Sequence, residues 1–170
     1  MGQVDILNVF LENPTKNFQI RGIARYLNIP KTTISYHVNK FLKDGIIIKE
    51  DKGVFPSFRA HESSENYRFI KKQESVRKIM EFGFLDYIEK ELNPKCVVLF
   101  GSFAKGEYDA GSDIDIFVQA KEAKVDVARF EKRLKHKINL LFEPNINSLS
   151  SELLNNIVNG IKLRGFLKVR

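Results

Sequence analysis

The chain has 170 residues, 43% of them apolar and 29% charged, and a formal net charge of +7. Such fractions belong to a soluble globular protein of one medium domain or two small ones. They exclude a helical membrane protein, because no apolar run reaches the roughly 20 residues that a spanning helix needs. The single cysteine, Cys96, excludes an intramolecular disulfide. A cytoplasmic location with no signal peptide is the expectation, since the N-terminus passes straight into a helical pattern without a basic stretch.

Residues 3–12 carry Val4, Leu7 and Leu11 on one helical face, widened by Ile6 and Phe10, and Asn13-Pro14 ends the pattern. Gln19 to Leu27 predicts a second helix, with Ile20, Ile23, Ala24 and Leu27 inward. Asn28-Ile29-Pro30 is a tight break. Lys31 to Lys43 predicts a third helix, with Pro30 and Thr32/Thr33 as start signals and Asp44-Gly45 as its stop. A strand over Ile46–Glu50, a turn at Asp51-Lys52-Gly53 and a return over Val54–Arg59 follow.

Three helices and a small hairpin resemble the winged helix-turn-helix domains of prokaryotic DNA-binding proteins, over residues 1–60. That resemblance implies contact with double-stranded DNA through the outward face of the third helix. Lys31, Thr32, Thr33, Ser35, Tyr36 and Lys40 lie on that face, together with His37 and Asn39. These side-chain types bond phosphates and base edges. Arg21, Arg25, Lys49, Lys52 and Arg59 flank them. The same polarity would suit any solvated helix face. His37, His61 and His136 have no second His or Cys at ligand spacing, so none reads as a metal ligand.

Residues 61–92 form a connector: a polar segment with Ser63 or Ser64 as a cap, then a helical pattern that Gly83 bends or splits. Its net charge is −1, against +4 for residues 1–60 and +4 for residues 93–170. It either packs within one chain or pairs two chains in a homodimer. The basic ends fit a polyanionic partner, although a charge of this size also serves solubility alone.

From Asn93-Pro94 onward the pattern becomes α/β (α+β). A strand over Lys95–Phe100 leads into G-S-F-A-K-G-E-Y-D-A-G-S-D-I-D, residues 101–115, and a second strand spans Asp113–Gln119. A helix over Val125–Lys135, a strand over Lys137–Phe142, a helix over Ser150–Asn159 and an extended segment over Ile161–Val169 complete the pattern. Asp113 and Asp115 are two residues apart, so on a strand they share a face. Two adjacent carboxylates repel unless a cation separates them. Gly101 and Ser102 offer backbone N–H groups and a hydroxyl nearby. A surface turn explains Gly111-Ser112-Asp113 but not an Asp at 115 inside an apolar strand.

Gly-Ser, a ten-residue spacer and Asp-x-Asp resemble the signature of the polymerase-beta-like nucleotidyltransferases, in the minimal form found in prokaryotes, often archaea. The resemblance covers residues 93–170 and implies a mixed β-sheet flanked by helices. It implies that Gly101 and Ser102 hold a nucleoside triphosphate, ATP or another, and that Asp113 and Asp115 are catalytic and bind Mg2+ or Mn2+. Stand-alone members resemble antitoxins that transfer AMP to a partner toxin, and a fused DNA-binding domain would then regulate transcription. The family's third carboxylate falls at Asn139 here. Three readings stay open: the two Asp suffice; Glu143, Glu107 or Asp109 substitutes; or the domain binds nucleotide without turnover.

Overall fold

The computed structural model describes residues 2–51 and 53–168. Lys52 and Val169, named above, lie outside the described residues. The chain divides into two compact units, Met1–Lys71 and Lys72–Arg170, and the division falls inside the segment 61–92.

The first unit contains α1 (Gln3–Glu12), α2 (Ile20–Leu27), α3 (Lys31–Lys43), β1 (Ile47–Glu50) and β2 (Ser57–Ala60), and ends within α4 (Glu65–Glu81). Apolar residues at helical spacing close over one core: Ile6, Leu7, Phe10 and Leu11 from α1, Ile23 from α2, and Ile34, Val38 and Phe41 from α3. Val4, expected inward, is exposed, because the buried face of α1 centres on Ile6 and Phe10. Asn28 takes φ 54° and donates its N–H to the Ala24 carbonyl, which ends α2 abruptly. The hairpin is antiparallel, from Ile47 opposite Ala60 to Glu50 opposite Ser57. Phe18 adds one more bridge, to Phe58. The return strand begins at Ser57, not Val54: Pro56 has no N–H to give a ladder, and Val54 and Phe55 stand exposed before it. Ser64, not Ser63, receives the Tyr67 N–H at the start of α4.

In the second unit Gly83 adopts φ +70° and separates α4 from α5 (Phe84–Leu92). There follow β3 (Cys96–Phe100), α6 (Gly101–Lys105), β4 (Ile114–Val118), α7 (Ala128–Leu134), β5 (Ile138–Phe142), a 3-10 turn at Ile146–Ser148, α8 (Ser151–Val158) and β6 (Ile161–Gly165). The four strands form one mixed sheet in the order β5-β4-β3-β6, with β4 and β5 parallel and the other pairs antiparallel. Strand alternation sends Val97, Leu99, Ile114, Ile116 and Val118 into a core with Phe84, Ile88, Phe130 and Leu134. It sends Cys96, Val98 and Phe117 to the opposite face, against Ile146 and Ile157. Burial pushes the Cys96 thiol up, against a smaller opposing pull from Lys162.

The helix expected from Val125 begins at Ala128. Asp126 accepts the Ala128 N–H at 3.1 Å, and its own N–H donates to the Tyr87 hydroxyl at 3.1 Å, so residues 125–127 leave the helix. Ser150 caps α8 through the Leu153 N–H. No helix among the described residues is long and apolar enough to cross a membrane.

Candidate functional site

The sheet brings together three chain segments that lie far apart in sequence. The end of β3 meets the start of β4 because the two run antiparallel, with Phe100 opposite Asp115. The start of β5 meets the start of β4 because those two run parallel, with Asp115 opposite Asn139. Gly101, Asp113, Asp115 and Asn139 therefore gather at one end of the sheet.

Gly101 is required twice over. Its φ is +69°, and a Cβ there would lie 2.4 Å from Asp115 Oδ2. The Asp115 carboxylate occupies the space that a side chain at 101 would fill. Asp115 belongs to the β4 ladder, whereas Asp113 stands one residue before it. The Asn139 amide spans both carboxylates: Nδ2 donates to Asp115 Oδ1 at 3.1 Å and to Asp113 Oδ2 at 3.4 Å. An N–H donor between two anions lowers their mutual repulsion without adding a charge. Both carboxylates are half-buried and Asn139 is exposed. Ser102 is half-buried in the first turn of α6, and its carbonyl accepts the Glu107 N–H at 2.9 Å.

The candidates for a third carboxylate do not join this group. Glu143 follows the far end of β5, where it accepts the Asn145 N–H at 2.8 Å. Asp109 closes the spacer on itself, accepting from Gly111 N–H at 2.9 Å and from the Ser112 hydroxyl at 3.1 Å. Glu107 and Lys105 are exposed. Among the described residues, no three His, Cys, Asp or Glu side chains converge as a metal-binding group. Substitution of the third carboxylate from within the spacer or from Glu143 is thus at odds with the geometry.

Sequence reasoning excluded His136 as a metal ligand and gave neither it nor Tyr108 a role. His136 is buried, and its Nδ1 lies 2.7 Å from the Ser112 carbonyl oxygen. Tyr108 is buried and stacks on Phe103 with ring centroids 3.9 Å apart. No sequence spacing marks either contact.

In the first unit Lys31, Thr32, Tyr36 and Lys40 are exposed along α3, and Thr33 and Ser35 are half-buried. Arg21 lies over the Phe55 ring at 5.3 Å, which joins the start of α2 to the hairpin tip. Arg59 is paired with Glu50 and Lys49 with Asp51, so these two hairpin cations are already engaged.

Residues 84–163 match the family model described as Polymerase beta, Nucleotidyltransferase. The chain is also similar to a protein of Methanocaldococcus jannaschii named as a putative protein adenylyltransferase. The two are 36% identical over 55 residues, 29% of this chain and 56% of the relative. The chain thus spans little more than half the length of that relative. The matched segment runs from α5 into β6 and contains Gly101, Asp113, Asp115 and Asn139, so the similarity to that family covers the whole candidate site.

Proposed function

We propose that the second unit transfers a nucleoside monophosphate from a nucleoside triphosphate, with ATP as the first candidate, to a hydroxyl group. The observation that carries this reading is the meeting of Gly101, Asp113, Asp115 and Asn139 at one sheet end, inside the family-matched segment. The donor chemistry fits a hard divalent cation: Asp113 and Asp115 present carboxylate oxygens, and the missing Cβ of Gly101 leaves Asp115 its place. Asp113 and Asp115 would hold Mg2+ or Mn2+, which when bound supplies positive charge to the phosphates. Gly101 and Ser102 would face the triphosphate.

In the transfer the acceptor oxygen bonds to the α-phosphorus. The bond from that phosphorus to the bridging oxygen of the β-phosphate breaks, pyrophosphate leaves, and the hydroxyl proton passes to solvent. Asn139 cannot take that proton as a carboxylate would. The chain's contribution is then placement and electrostatics, which carry most of phosphoryl-transfer catalysis. Similarity to a putative protein adenylyltransferase supports a protein side chain as acceptor, and a toxin partner is the specific form of this reading. The test is transfer of label from α-labelled ATP with the parent chain and with Asp113→Ala/Asp115→Ala. Equal label in both would refute the reading.

A second reading has its own support. The exposed Lys31, Thr32, Tyr36 and Lys40 on α3 favour a winged helix-turn-helix that binds duplex DNA, as a homodimer on paired half-sites or as a single copy. The chain would then be a regulator whose second unit holds nucleotide without turnover, in line with the neutral Asn139. Duplex binding should weaken steeply with salt, and Lys31→Ala/Lys40→Ala should reduce the slope by about two if each lysine meets one phosphate. Binding that ignores salt, or an unchanged slope, would count against it.

A further inference from the structure

We propose that His136 is the positioning residue for Asp113. The inference rests on the transferase reading only for what Asp113 does, not for how it is held.

The two carboxylates are fixed by different means. Asp115 sits within β4, with ladder partners on both sides, Phe100 and Asn139. Asp113 precedes the ladder, which begins at Ile114 opposite Ile138. Nothing in the sheet holds the peptide before it. That peptide is planar, so the direction of the Ser112 carbonyl fixes the Asp113 nitrogen and Cα with it. His136 Nδ1 bonds this carbonyl at 2.7 Å. A carbonyl oxygen only accepts, so Nδ1 carries the proton; the tautomer follows from its partner. On the other side of Asp113, the Ile114 N–H donates to the Lys137 carbonyl at 2.8 Å. Asp113 is therefore held between two anchored peptides, and both anchors come from the turn entering β5, the side chain of His136 and the backbone of Lys137.

The imidazole itself is fixed from the opposite direction. It stands edge-on to Phe103 at 4.9 Å and 82°, and to Tyr108 at 5.9 Å and 86°. Those two rings lie parallel to each other. Edge-to-face contacts of this kind are directional. Phe103 follows Gly101-Ser102 in α6, so the ring cluster ties the Gly-Ser turn to the residue that aims Asp113. His136 occupies the place that a ladder hydrogen bond would take if β4 began one residue earlier.

The experiment compares the full chain with His136→Phe, which keeps a ring against Phe103 and Tyr108 but has no donor, and with His136→Asn, whose amide N–H can reach the Ser112 carbonyl. Amide hydrogen exchange is followed at Ile114, whose N–H donates to the Lys137 carbonyl on the other side of Asp113, with far-UV circular dichroism as the check on folding. Exchange at that amide should quicken about tenfold or more in the Phe variant and stay within about threefold of the parent in the Asn variant, in line with the loss or retention of one partly buried hydrogen bond beside it. In the ATP transfer assay the Phe variant should lose about tenfold in kcat with KM for ATP within about threefold, and the Asn variant should recover most of the rate. Unchanged exchange in a folded Phe variant overturns the proposal, whatever the activity. Quickened exchange in the Phe variant, with a parent chain that transfers no label, upholds the positioning of Asp113 and overturns the transferase reading instead. A fall in rate that His136→Asn does not rescue also overturns the proposal.

Discussion

Replacing Gly101 by Ala separates two costs that glycine hides. The first is conformational. At φ +69° an alanine backbone is strained by about 1–2 kcal/mol. Gly83 measures that cost alone, because it has φ +70° and its added Cβ would meet nothing within 4 Å. In a second unit of roughly 100 residues, about 1 kcal/mol lowers Tm by roughly 4–8 °C. Gly83→Ala should therefore lower the Tm of this unit by about 4–16 °C and leave the site untouched. The second cost belongs to Gly101 only. Its Cβ would lie 2.4 Å from Asp115 Oδ2 and 3.3 Å from Asp115 Cγ. An oxygen and a methyl carbon need about 1 Å more than that. The carboxylate must turn or retreat, and the Asn139–Asp115 bond at 3.1 Å goes with it. Loss of that exposed bond adds about 0.5–1 kcal/mol. The assay is thermal unfolding of both variants, joined to a Mn2+ titration followed by electron paramagnetic resonance. Gly101→Ala should melt below Gly83→Ala and bind Mn2+ at least about tenfold more weakly. Equal melting of the two variants, with parent-like Mn2+ affinity in Gly101→Ala, would show that the contact with Asp115 does not constrain the site.

Asn139→Asp should lower the stability of the metal-free chain by about 1–2 kcal/mol, since two attractive contacts become repulsive ones near the surface. Melting with and without Mn2+ should show the metal restoring more in this variant than in the parent. Gly165→Ala should cost about 3 kcal/mol or more, because the added Cβ would lie 2.1 Å from the Lys95 carbonyl oxygen at φ +74°, and chemical denaturation measures it. Asp109→Ala removes the acceptor for Gly111 N–H and the Ser112 hydroxyl in an exposed turn, so about 0.5–1 kcal/mol is expected. Proteolysis within the spacer, residues 103–112, should quicken correspondingly.

What the sequence disclosed about this site was what period and topology control. Period-two alternation placed Asp113 and Asp115 on one face, and the apolar runs on either side located β3 and β4. Asn139 was marked by the resemblance alone, as the position where the family's third carboxylate falls, and the parallel pairing of β4 and β5 sets it opposite Asp115. His136 was illegible because its partner is a backbone carbonyl 24 residues away, and a carbonyl has no residue type to read. The start of α7 was misread for a related reason. Val125 and Val127 have helical spacing, but the Asp126 side chain turns back to accept the Ala128 N–H while its own N–H meets the Tyr87 hydroxyl, 39 residues away, a tertiary contact that spacing does not reveal. Val4 shows the limit of periodicity itself: a ten-residue helix offers more than one apolar face, and which one is buried depends on what packs against it.

Asn139 gives the site a property that a third carboxylate would not. Three carboxylates within hydrogen-bonding distance are tolerable only with cations among them. Two carboxylates joined by an amide N–H form a self-consistent group without one, since each anion has a donor at 3.1 or 3.4 Å. The metal-free site is then already near the geometry in which Asp113 and Asp115 converge, and it does not have to be assembled by the ion. The same amide offers no charge to draw in further cations and no basic oxygen for a proton. On the proposed transferase reading, the protein rather than a metal holds much of this arrangement, through Gly101 beneath Asp115 and His136 behind Asp113.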